Sequence, residues 1–104
     1  DYQMGEMLAF DESVERVLNW VDARPLRRMK TLVVVVADHE TGGHAIDGPY
    51  GSLSESGNMV QSGWTSTNHS AVDTVIWARG PGSRYFGQAL DNTELYYLML
   101  NAMK

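Results

Sequence analysis

The chain has 104 residues, 43% of them hydrophobic, a formal net charge of −5 and no Cys; that length suits one small domain and is too short for two. The acidic balance argues against nucleic-acid binding, whose affinity comes mostly from Lys and Arg meeting phosphates, and the absence of thiols excludes disulfides and thiolate ligation without choosing a compartment. The longest apolar run, Leu32 to Ala37, is far short of the ~20 residues a membrane span needs, and no basic region followed by an apolar core opens the sequence, so no signal peptide is expected in it.

Met4, Met7, Leu8, Phe10, Val14, Val17, Leu18 and Val21 recur mostly at three- and four-residue steps and predict an amphipathic helix from about Tyr2 to Ala23. Pro25 closes or redirects it, and Arg27, Arg28 and Lys30 read as a solvated basic connection. Thr31 to Ala37 is a continuously apolar strand of the kind covered on both faces, which predicts packing into a larger sheet. Residues 42–63 are rich in Gly, Ser and Asn and read as a long surface loop with a short strand around Met59-Val60-Gln61. A strand over Val72–Arg79 stops at Gly80-Pro81-Gly82. A final helix starts at Asp91, with Glu94 completing a capping box and Leu95, Leu98, Met99 and Ala102 facing inward. Helix, strand, long loop, strand, helix is the order of an α/β layer, not a bundle; it leaves the strand order open.

The chemistry concentrates in Ala37-Asp38-His39-Glu40-Thr41, where the Val-rich strand gives out. Neighbouring side chains of an ideal strand point to opposite faces, so Asp38 and His39 can reach one ion only if the backbone bends after Ala37. Gly42 and Gly43 make such a departure easy. A loop after a buried parallel strand is also where open α/β sheets place ligands. The competing reading is a turn in which Asp38 bonds local backbone. His69, just before the second strand, is a candidate second nitrogen donor or a satisfied polar residue. His44 reads as a loop residue, and Trp64 as a wall of the substrate entrance or a packing group.

Ala37-Asp38-His39-Glu40-Thr41-Gly42-Gly43, Thr67-Asn68-His69-Ser70-Ala71-Val72, Ala78-Arg79-Gly80-Pro81-Gly82-Ser83 and Asp91-Asn92-Thr93-Glu94 stand in the order and at the spacing of one family. With Gly5 to Glu12 as a further block, the chain resembles the C-terminal part of a bacterial-type alkaline phosphatase. The resemblance covers nearly the whole chain. It implies the C-terminal portion of an alkaline-phosphatase-like sheet sandwiched by helices, an incomplete α/β domain on its own. Asp38 and His39 match ligands of the metal ion nearest the family's nucleophile, and His69 matches a ligand of the other catalytic ion. The serine nucleophile, its partner Asp and the remaining ligands have no matching position here, so no catalytic nucleophile is expected within these residues.

By the same resemblance, the parent enzyme hydrolyses phosphate monoesters through a phosphoserine. It carries two Zn²⁺ ions and a Mg²⁺ whose ligands lie outside this chain. Its partners are the upstream portion of the same enzyme and a second copy in a homodimer, and its location is periplasmic or secreted. Mixed imidazole and carboxylate ligation agrees with zinc at the first two sites. The alternatives are a structural or metal-binding module without activity of its own, and a related phosphodiesterase or sulfatase.

Overall fold

A computed structural model describes residues 2–48, 50–53 and 55–104. In chain order it holds helix α1 (Tyr2–Asp22), helix α2 (Pro25–Lys30), strands β1 (Val33–Val36), β2 (Glu40–Thr41), β3 (Ala45–Asp47), β4 (Gln61–Gly63), β5 (His69–Ser70) and β6 (Ile76–Arg79), a 3-10 turn (Ser83–Phe86) and helix α3 (Asn92–Ala102). The strands pair as β1 with β6, β2 with β5 and β3 with β4. The expected α/β mixture is therefore present, as small two-stranded sheets.

The elements gather into two compact units, residues 1–35 with 76–104, and residues 36–75. In the first, α1 ends within one residue of its sequence-derived boundary because the periodic pattern stops at Asp22. The basic connection is a correction: Pro25 opens α2 instead of only closing α1. Proline suits the first helical position, where its missing N–H has no partner to lose, and the following Leu, Arg, Met and Lys are good helix formers. Arg27 lies over the Trp20 ring, 4.0 Å from its centroid. Arg28 and Arg79 both reach Asp22, at 3.4 and 2.9 Å.

β1 is shorter than its apolar run, and Val33, Val34 and Val35 are half-buried instead of covered on both faces. Its partner β6 is also shorter than expected: Val72 and Val75 lie in extended, exposed chain, at 65% and 61% exposure. Gly80, with φ +116°, ends β6 where an added Cβ would run into the Thr31 carbonyl. Val21 and Phe86 are the buried hydrophobic residues of the described chain. The α1 face is largely open, with Met7, Leu8 and Phe10 each more than half exposed. Together with Val14, Leu18, Val33, Val35 and Trp77, Met7 and Phe10 line an apolar hollow of about 480 Å³.

Helix α3 begins as its sequence dictates. Thr93 N–H donates to Asp91 Oδ1 at 2.9 Å and Asp91 N–H donates to Glu94 Oε2 at 2.7 Å, satisfying donors that a helix start leaves without intrahelical partners. Leu95 and Leu98 are half-buried, whereas Met99 and Ala102 are exposed.

In the second unit the supposed surface loop contains an antiparallel hairpin, Ala45–Asp47 against Gln61–Gly63, with Ile46 opposite Ser62. The strand expected around Met59 thus falls two residues later. Its sequence carries almost no apolar alternation to mark it, and Ile46 itself is 81% exposed.

Candidate metal-ligand cluster

Asp38 and His39 follow β1 after Ala37, and β2 begins at Glu40. β2 runs antiparallel to β5, with Glu40 opposite Ser70 and Thr41 opposite His69. Side chains alternate along a strand, so His39 shares a face with Thr41 and therefore with His69, diagonally across the ladder. Their rings stack, with centroids 3.4 Å apart and planes 23° from parallel. Two histidines thirty residues apart in sequence thus form one surface.

The backbone of Gly42 holds this arrangement. Its N–H donates to the Asn68 carbonyl at 2.9 Å, while its own carbonyl accepts from Thr65 N–H at 2.8 Å and Ser66 N–H at 3.2 Å. Thr65 Oγ1 donates to the same carbonyl at 3.0 Å. Gly42 is buried, in the left-handed region at φ +67°, as the sharp departure after β2 requires.

The His39 ring is oriented by its own strand. Nδ1 lies 3.0 Å from the Glu40 carbonyl oxygen, an atom that can only accept, so Nδ1 carries the proton and Thr41 Oγ1 lies 3.3 Å from it. In the neutral ring Nε2 then keeps its lone pair, the arrangement found where a histidine binds metal through one nitrogen and is fixed through the other. Asp38 Oδ2 is 3.4 Å from Nε2. That is longer than a charge-assisted hydrogen bond, and it is close to the roughly 3.3 Å between two ligands on a tetrahedral zinc with bonds of about 2.0 to 2.1 Å. Asp38 Oδ1 also accepts the His39 N–H at 3.1 Å, so part of the turn alternative is present as well.

Glu40 points its carboxylate to the other side of the ladder. Oε1 accepts the Gly43 N–H at 2.5 Å, and Oε2 accepts the Ser70 hydroxyl. The Ser70 hydroxyl lowers its pKa from the ordinary 4.5, desolvation works against that, and the Gly43 N–H reinforces it.

His39 therefore lies against both Asp38 and His69. His44 is not with them: its ring tilts against Trp64 at 4.4 Å between centroids, and Trp64, half exposed, also packs near Gly42. Among the described residues no three His, Asp or Glu side chains are grouped so that they could hold a metal ion. One carboxylate and two imidazoles are donor types that zinc accepts, but as they stand here they supply pairs and not a metal-holding group.

Over 90% of its length the chain is 33% identical to streptomycin-6-phosphate phosphatase of Streptomyces griseus, matching 23% of that protein. Over 97% of its length it is 26% identical to alkaline phosphatase 3 of Bacillus subtilis (strain 168), matching 22% of it. The chain is related to phosphatases. It spans less than a quarter of the length of these curated relatives. No family model and no solved structure matches.

Sequence reasoning named Asp38, His39 and His69 as candidates and Gly42 as a point of departure for the backbone, but passed over Glu40 and Ser70 as organisers of the ladder. The available signal was positional: Glu40 follows His39 and Ser70 follows His69.

Proposed function

We propose that these residues form the C-terminal part of a metal-dependent phosphomonoesterase of alkaline-phosphatase type, which hydrolyses phosphate monoesters through a phosphoserine. The observation that supports this reading is that His39 lies against both Asp38 and His69, in a chain related to phosphatases. Asp38 and His39 would hold one Zn²⁺, and His69 a neighbouring one. When bound, such a pair supplies positive charge to both the attacking and the leaving oxygen of an in-line displacement.

What the chain itself contributes is orientation. The Glu40 carbonyl fixes the His39 tautomer, and the β2–β5 ladder presents His69 beside it. The serine nucleophile, the remaining ligands and a Mg²⁺ site would come from polypeptide outside these residues. That polypeptide would also complete the sheet and helix sandwich, covering the hollow between α1, β1 and Trp77. A homodimer in the periplasm or outside the cell follows from the same family reading.

The test is hydrolysis of p-nitrophenyl phosphate by the full-length polypeptide that carries this chain. Chelation should abolish turnover and Zn²⁺ should restore it. The 104 residues alone should not exceed a metal-only control. Activity toward a phosphodiester or sulfate ester but not toward the monoester would overturn the substrate class, and metal-independent turnover would overturn the mechanism.

A further inference from the structure

We propose that Glu40 is a positioning residue that locks the β2–β5 register and so sets His39 against His69. The ladder comprises two residue pairs. A strand pairing this short has little side-chain packing to specify it, and a slip of one residue sends every side chain to the opposite face. Such a slip would separate the two imidazoles. Glu40 stands directly opposite Ser70, and its carboxylate accepts both the Ser70 hydroxyl from β5 and the Gly43 N–H from its own turn. One side chain thus ties strand, turn and partner strand together on the face away from the histidines. The diagonal His39–His69 stack at 3.4 Å is the geometric consequence.

The effect on metal binding rests on the function proposed above; the effect on ring spacing does not. The experiment uses the full-length polypeptide, metal-free, with ring-labelled histidine, and compares the parent with Glu40→Ala, Glu40→Gln and Ser70→Ala. In the parent, His39 and His69 ring protons should show a nuclear Overhauser effect. Glu40→Ala should lose it, and Ser70→Ala should weaken it. Glu40→Gln should keep it, because an amide accepts from Gly43 and donates to the Ser70 oxygen. Unchanged amide protection in the β3–β4 hairpin separates loss of register from unfolding. Co²⁺ should then bind Glu40→Ala 10- to 100-fold more weakly, the usual scale for losing a group that orients a ligand, with Glu40→Gln near the parent. A ring contact that is absent from the parent, or that survives Glu40→Ala, overturns the proposal. If the contact responds as expected but the parent binds no Co²⁺, the positioning role stands and the metal reading falls.

Discussion

Replacing Gly42 with Ala should open the histidine cluster from the backbone side. At φ +67° an L side chain costs about 1 to 2 kcal/mol. The new Cβ would also stand 2.8 Å from the Ser66 carbonyl oxygen and 2.8 Å from Trp64 Cε3. The indole can tilt away, but Ser66 is tied by its own N–H to the Gly42 carbonyl. Moving it weakens one or two hydrogen bonds, each worth about 0.5 to 1.5 kcal/mol net. The sum is roughly 1.5 to 5 kcal/mol in the opening of residues 65–68. At 1.4 kcal/mol per factor of ten, Thr65 and Ser66 amide protection should fall about 10- to 4,000-fold, or to that of a free amide if this is reached first. Hydrogen exchange on the full-length polypeptide measures it. Gly48→Ala is the control, since an added Cβ meets nothing within 4 Å there and φ is not positive, so its effect should stay within about 0.5 kcal/mol. A change below about threefold at Thr65 and Ser66 in Gly42→Ala would refute the reasoning built on these energies.

At Gly5, in α1 with open space around it, Ala should raise helix stability by about 0.5 to 1 kcal/mol, read by thermal melting; destabilisation would show that α1 meets something there. The Thr93 N–H, followed by its hydroxyl, holds Asp91 below its ordinary pKa of 3.8, so the cap stabilises α3 above that value and is lost as pH falls through the depressed one. Thr93 amide protection, taken relative to the intrinsic exchange rate at each pH, should therefore fall on acidification, and Asp91→Asn should remove that dependence while keeping a cap. With its α1 face open, the isolated 104-residue chain should bind a hydrophobic dye and self-associate in ultracentrifugation; a compact monomer without dye binding would contradict the need for covering polypeptide.

The parts legible in the sequence are those whose cause is local. The capping box at Asp91 and Glu94 lies within four residues, and α1 announces itself through about five turns of apolar spacing. Asp38 and His39 stood out as candidates because they come just after a Val-rich run. The β2–β5 ladder was not, since a two-residue strand is too short to carry alternation, and the groups that tie it, Glu40 with Ser70 and Gly42 with Asn68, meet across 26 to 30 residues. Pro25 misled because the same residue that ends one helix can open the next. The open face of α1 illustrates a different limit: periodicity reveals that a face is apolar but not which polypeptide covers it.

Zinc-edge anomalous diffraction from crystals of the full-length polypeptide tests the central claim most directly. The account predicts anomalous density about 2.0 to 2.1 Å from Nε2 of His39, shared with Asp38, and a second peak at the same distance from a His69 ring nitrogen. None is expected at His44, which rests against Trp64. Zinc bound elsewhere in a turnover-competent crystal, with His39 and His69 bare, would contradict the assignment of this cluster as part of the catalytic metal centre.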